Sequence, residues 1–198
     1  MTIINHKYRF VFLKPSRVGG SSVQYALLRD FDRALVGVTG DPWLKDELKG
    51  LPYIPCKLHS HATYVEVLKK FPGVSEYDIV SIKRHPYERF TSAINFFGHW
   101  RKYPLSRAKE SIFEKAYDEA IEALKHDDYL LDLGERVYYL DYKHLQHDYN
   151  LFCLKHGVSP RGLPQIKVSK TPLYFPEEYS EILQKELARE FAYHKWEV

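Results

Sequence analysis

The stretch Tyr8–Leu28, YRFVFLKPSRVGGSSVQYALL, decides the fold. Tyr8, Phe10, Val11, Phe12 and Leu13 first alternate and then run apolar, rich in aromatic and β-branched residues, which reads as a short buried strand. A tight polar turn follows, Pro15-Ser16-Arg17-Val18-Gly19-Gly20. Beyond it Val23, Ala26, Leu27 and Phe31 fall at helical spacing, with Ser21 or Ser22 suited to the N-cap. Strand, glycine turn and helix N-terminus together hold phosphate-like anions. The first-turn N–H groups are unpaired, the helix dipole is positive there, and glycine admits close approach to the backbone. Arg17 adds a charged fork, and Ser21 and Ser22 add hydroxyl donors. The same residues also fit an ordinary strand-to-helix turn with a glycine pair. They do not fit the nucleoside-triphosphate loop, GxxxxGK followed by Ser or Thr. Gly20 is followed by Ser21, and the cation precedes the glycines.

Composition sets the bounds. A chain of 198 residues suits one domain, 1–198. Apolar residues make up 44% and charged residues 28%, so the chain reads as globular with a real core. A net charge of +3 is compatible with an anionic ligand and too weak to indicate nucleic acid. Cys56 and Cys153 form no CxxC and no Cys/His cluster of zinc spacing. Neither a disulfide framework nor a metal centre is expected, and a reducing compartment is the simpler setting. MTIINHKYRF lacks the apolar run of a signal peptide, and no segment approaches membrane-spanning length. A cytoplasmic location is therefore expected.

Taken outward from the first helix, Ala34–Val38 reads as a short strand. Asp41–Pro55, with three prolines and Gly50, reads as a loop with at most one helical turn. A helix is predicted over Ala62–Phe71, stopped by Pro72-Gly73. Tyr77–Ile82 (YDIVSI) is a second strong strand, and Pro86 then opens a helix with Phe90, Ala93, Ile94 and Phe97 on one face. His99–Ser106 reads as an aromatic, basic loop. Ser111 and Glu114 form a capping box ahead of a helix reaching Leu124. Val137–Leu140 is a third strand, and the helix of Leu145, Tyr149, Phe152 and Cys153 ends at Gly157. Ser159–Pro176 reads as a loop, and Tyr179, Ile182, Leu183, Leu187 and Phe191 as a last helix. Strands separated by helices indicate an α/β layered domain with a mostly parallel sheet.

Behind YDIVSI comes Lys83-Arg84-His85-Pro86-Tyr87-Glu88-Arg89-Phe90-Thr91-Ser92, the pattern R-x-P-x-x-R-x-x-S entering a helix. Arg84 falls where a strand meets a helix, on the sheet edge at which such folds bind ligands. Arg84 and Ser92 are candidates for a second phosphate group. Taken singly, they fit equally well a surface salt-bridge arginine and a helix serine.

Together the two motifs resemble the PAPS-dependent sulfotransferases, in particular the branch that includes carbohydrate sulfotransferases (PAPS is 3′-phosphoadenosine 5′-phosphosulfate). Phe12–Ser22 aligns without a gap on the family's FLHIPKTGGTS loop, and Val80–Ser92 is similar to its VRDPYERFLSA motif. Val137–Val158 is similar to the segment in which a strand leads to an NLxxD helix. Gln165–Tyr179 resembles the late N-x-S loop and the tyrosine-rich helix after it.

The resemblance implies a three-layer, P-loop nucleotide-kinase-like fold. It also implies in-line transfer of a sulfuryl group from PAPS to an acceptor hydroxyl, on a carbohydrate or another small molecule, releasing the 3′,5′-bisphosphate without a metal ion. It places Arg17, Val18, Gly19, Gly20, Ser21 and Ser22 on the 5′-phosphosulfate, and Arg84 and Ser92 on the 3′-phosphate. In the family's H-x-H, matched here by His59-Ser60-His61, the second histidine is the base, which makes His61 the candidate catalytic base and His59 its support. Glu66 is a further candidate for orienting that imidazole.

Departures from the family pattern are specific. The loop lysine is Arg17, which keeps the charge but cannot donate its proton, so it would act by electrostatics. Lys14 stands where histidine is common, and His85 replaces the usual aspartate. The late N-x-S is Lys167-Val168-Ser169. Candidates for acceptor contact are His99, Trp100, Arg101, Lys102, Tyr103 and Trp43, which fit a solvated loop as well. Two other classes stay open, a kinase with a degenerate phosphate loop and a non-catalytic nucleotide-binding module.

Overall fold

The computed structural model describes residues 2–39, 48–100, 110–166 and 179–196, with the backbone alone at 38–39, 97–100 and 110–114. Trp43, the 101–109 segment and Lys167-Val168-Ser169 lie outside the described residues, as do the side chains of His99, Trp100, Ser111 and Glu114. Two compact units are present, Met1–Lys83 with Gly134–Val168 and Arg84–Leu133 with Ser169–Val198.

The first unit carries a six-stranded sheet. Its strands are β1 (Ile3–Asn5), β2 (Phe10–Phe12), β3 (Ala34–Thr39), β4 (Tyr53–His59), β5 (Asp78–Lys83) and β6 (Val137–Asp141), in the order β4-β3-β1-β2-β5-β6. The pairs β2–β5, β5–β6 and β3–β4 are parallel, whereas β1 runs antiparallel to β2 and β3. Every strand except β1 therefore points the same way, and the chain is α/β with a mostly parallel sheet. Helix α1 (Gly20–Asp30) follows β2, α2 (Tyr64–Lys70) follows β4, and α5 (Leu145–Lys155) follows β6. Apolar faces of α1 and α5 close over Phe10, Phe12, Val80, Ile82 and Leu140, with Val23, Leu27, Tyr149 and Phe152 all buried. Phe10, Phe31 and Phe152 meet edge to face or tilted at 5.1 to 5.7 Å, a favourable arrangement for aromatic rings.

Several expectations are corrected here. Part of the stretch read as a loop is strand β4. Pro52 and Pro55 suggest a break, but β4 lies at the sheet edge, where a missing N–H costs no ladder bond. His59 is the last residue of that strand. Gly37 makes the pairing possible, since a Cβ there would stand 2.7 Å from the His59 carbonyl oxygen. Helix α1 is capped by Gly19 in the left-handed region, φ 74°, and not by a serine. Strand β1 is too short to show as a period.

The second unit is helical. It contains α3 (Pro86–Trp100), α4 (Glu110–Lys125), most of a 3-10 run His126–Arg136 broken at Gly134, α6 (Ser180–Glu186) and α7 (Ala188–His194). His99 and Trp100 belong to α3 and not to a loop. The single last helix of the sequence pattern is two, joined at Leu187. Phe90, Ala93 and Ile94 of α3 bury against Ala120, Ile121 and Leu124 of α4 and against Leu183, Leu187 and Phe191. Within this apolar setting Arg89 is 3% exposed. Its guanidinium bonds Asp127 at 2.6 Å and also Glu190. Burial works against each charge, and the two carboxylates keep the arginine protonated.

Candidate functional site

In the first unit the parallel strands deliver their C-terminal ends to one edge of the sheet, the edge where α/β folds place ligands. Residues 14–19 form the turn leaving β2. Two bonds fix its start, from the Leu13 N–H to the Val80 carbonyl at 3.0 Å and from the Ser81 hydroxyl to the Leu13 carbonyl at 2.9 Å. Arg17 is half-buried at φ 60°, and Gly19 follows at φ 74°. Positive φ at a non-glycine residue costs about 1–2 kcal/mol, and such strain gathers at ligand sites. The Val18 side chain is 1% exposed within the core, so only its backbone faces outward chemistry.

The turn leaves Gly20, Ser21 and Ser22 in the first turn of α1, with no side-chain cap and no acidic residue there. That environment fits an anion. Both glycines are demanded by neighbours. A Cβ on Gly19 would come within 2.7 Å of the Tyr142 ring, and one on Gly20 within 2.6 Å of the Lys14 stem. Tyr142 follows β6 and was not singled out by the sequence, because its contact with Gly19 spans most of the unit's chain. The Ile166 N–H donates to the Ser22 hydroxyl oxygen at 3.3 Å, just ahead of the late loop.

His61 belongs to the same edge. The His61 ring lies close to the backbone of Lys14, which sets the H-x-H beside the glycine turn. Its pKa is pushed down to about 3, chiefly by burial, with nearby positive charges, Lys14 among them, adding to it. The imidazole is thus neutral in the folded protein. His59 is exposed, and its Nδ1 accepts the His61 backbone N–H at 3.1 Å, shaping the short turn. Thr2, buried at the start of β1, donates towards the Ser60 and Ala62 carbonyls on either side of His61, at 3.4 and 3.2 Å. The antiparallel direction of β1 is what brings Thr2 to this edge. Glu66 has a different visible duty from the one expected of it. Its carboxylate accepts from the Thr63 N–H and hydroxyl in the capping box of α2.

In the second unit the arginine motif starts at the residue after β5. His85 caps the start of the helix, its Nδ1 accepting the Tyr87 N–H at 3.3 Å. Arg84 is 7% exposed, and its Nε donates to Glu88 Oε2 at 3.1 Å. Ser92 is half-buried and lies one helical turn beyond Glu88, so the two share a face of α3. Arg89, five residues after Arg84 in the same motif, is committed to Asp127 and Glu190 as described above.

Elsewhere in the second unit a cleft of about 590 Å³ lies between α4 and α6. Its walls, Tyr117, Tyr179, Asp118, Glu122 and Glu186, are acidic and suit no phosphate. Among the described residues no group of three His, Cys, Asp or Glu side chains is arranged to hold a metal ion, and no helix is long and apolar enough to cross a membrane.

Comparison with models of known protein families finds no match, and neither does a search of curated proteins. Among solved structures, the chain is similar to a crystal structure of a sulfotransferase from Alicyclobacillus acidocaldarius. The TM-score is 0.54 and the identity 17%, over 96% of each chain. The chain therefore has a sulfotransferase fold, and at this identity the likeness speaks to the fold alone.

Proposed function

We propose that the chain, taken as one domain working in the cytoplasm, is a sulfotransferase that uses PAPS and an acceptor hydroxyl, with a carbohydrate as the first acceptor class to test. PAPS supplies an activated sulfuryl group whose S–O bridge to the 5′-phosphate breaks as the acceptor oxygen bonds to sulfur. The first-turn amides at Gly19–Ser22, the Ser21 and Ser22 hydroxyls and the Arg17 charge hold the 5′ anion. Only the backbone of Val18 takes part. Arg17 and Lys14 stabilise negative charge where the leaving oxygen develops it. Arg84 and Ser92 bind the 3′-phosphate and so select the bisphosphate nucleotide.

His61 takes the acceptor proton. The observation that carries this reading is the place of the His61 ring against Lys14, beside the phosphate turn. In the free protein the Lys14 charge depresses the imidazole. An anion that offsets that charge raises the proton affinity of His61, while the larger effect of burial stays.

The test is a transfer screen with labelled PAPS over glycans, phenols and lipids, comparing wild type with His61→Ala and His59→Ala. His61→Ala should lose about 10²–10⁴-fold in kcat and still bind PAPS. A rate near wild type removes His61 from the role. PAPS binding with no transfer to any acceptor replaces the proposal with a binding module.

A further inference from the structure

We propose that Arg161 is a positioning residue for Ser22, acting through a strap of chain, residues 161–166, that runs back along α1. The inference rests on the reading of Ser22 given above, as a partner of the 5′ anion. The strap is fastened at the C-terminal end of α1. Arg161 Nε donates to Asp30 Oδ1 at 2.6 Å, and its Nη2 donates to the Arg29 carbonyl at 2.8 Å. Arg29 returns a bond from Nη1 to the Gly162 carbonyl at 3.0 Å. Asp30 is itself held, with Tyr149 of α5 donating to its Oδ2 at 2.9 Å. Midway, the Leu163 N–H donates to Gln146 Oε1 at 2.7 Å, and the Leu163 side chain packs on the core of the first unit. The strap then reaches the N-terminal end of α1, where the Ile166 N–H meets the Ser22 hydroxyl oxygen at 3.3 Å.

Length makes this a coupling. The rise of α1 from Ser22 to Asp30 is about 12 Å. The chain from Arg161 to Ile166 spans at most about 17 Å when extended. The strap therefore has little slack, and Pro164 within it stiffens the backbone further. A shift at the Asp30 end is passed on to Ile166. At Ser22 the effect is one of direction. A hydroxyl that accepts a bond on its oxygen keeps its proton to donate, and the accepted bond fixes the rotamer from which it does so. The Asp30 side chain is 1% exposed and that of Arg161 is 58% exposed, so the anchor point is rigid and the residue that grips it can be changed without opening the core.

The experiment measures Kd for adenosine 3′,5′-bisphosphate by titration calorimetry on wild type, R161A, S22A and the double variant, together with hydrogen exchange of the Ile166 amide in ligand-free wild type and R161A. Exchange at Ile166 should speed up in R161A. The bisphosphate should weaken about three- to tenfold in R161A, the equivalent of one lost hydrogen bond, and at least as much in S22A. The double variant should match S22A, because no hydroxyl is left to position. The inference is overturned if R161A leaves either the exchange rate or the Kd at its wild-type value, or if the two single losses add in the double variant. Wild-type affinity in S22A removes Ser22 from the anion site and overturns this inference while leaving the α1 amides and Arg17 in place. A wild-type protein that does not bind the bisphosphate overturns the sulfotransferase reading, and this inference with it.

Discussion

At the turn after β2, the groups we assign to an anion belong largely to the main chain. They are the first amides of α1, following a left-handed Gly19 and uncapped by any side chain. At the start of α3 the charges are those of side chains already paired, with Arg84 tied to a half-exposed glutamate and Arg89 buried between two carboxylates. A backbone-built element tolerates change in most side chains and fails at its glycines. An element built from side chains tolerates backbone adjustment and fails when a counter-charge is removed. Two elements read from sequence as equivalent halves of one motif pair should thus break in different ways.

The sharpest break falls on Arg89. Arg89→Met strands Asp127 and Glu190 as buried carboxylates without their cation and should cost about 3–5 kcal/mol of stability. Thermal melting checks this, and a triple variant that also replaces Asp127 and Glu190 by leucine should regain most of the loss. A wild-type melt for Arg89→Met would mean the cluster does not anchor the second unit. Next in size, Arg84→Ala should weaken adenosine 3′,5′-bisphosphate by about 1.5–3 kcal/mol and leave the melting temperature nearly unchanged. Loss of stability instead of affinity would make Arg84 structural like Arg89.

The first unit should show its own signature in pH. His61 titrates near 6.5 when unfolded and is held down to about 3 when folded. Between these values the unfolded chain binds the extra proton, so stability is full above about pH 6.5 and falls as pH drops towards 3. Going from pH 6.5 to 5 this single group removes up to about 2 kcal/mol. His61→Gln should melt with a shallower acid dependence than wild type, and parallel curves would contradict the burial of the ring. The smallest expected effect is Gly19→Ala, about 1–2 kcal/mol from backbone strain at φ 74°. Pairing it with Tyr142→Ala should recover only the part owed to the 2.7 Å approach. Full recovery would show that the left-handed backbone is not the constraint.

How much of this was legible in the sequence follows from the range of each interaction. The β2–turn–α1 and β5–α3 units announce themselves because apolar period, glycine or proline, and the first helical turn all lie within about twenty residues. Strand β4 was hidden because Pro52 and Pro55 carry a local meaning that its edge position cancels. The cap at Gly19 was assigned to a serine because propensity favours serine, whereas the neighbouring Tyr142 and Lys14 leave room only for glycine at these two places. Thr2 carries no motif at all. It matters through the direction of a three-residue strand, which only the pairing of β1 with β2 and β3 determines. Arg89 is a fixed letter of R-x-P-x-x-R-x-x-S to which the pattern gives no duty, because its partners stand 38 and 101 residues further along the chain.

That last separation has a bearing on how the protein is made. At ribosomal rates, on the order of 5–20 s pass between the emergence of Arg89 and that of Glu190. Throughout that interval Phe90 and Leu124 wait for Leu183, Leu187 and Phe191, the residues that complete their shared core. The first unit waits as well, for a β6 encoded after the whole 84–133 segment. Nascent chains of this protein therefore pass through a long window with greasy helix faces uncovered, open to chaperones, proteases and one another. A premature stop just ahead of Glu190 would extend that window indefinitely.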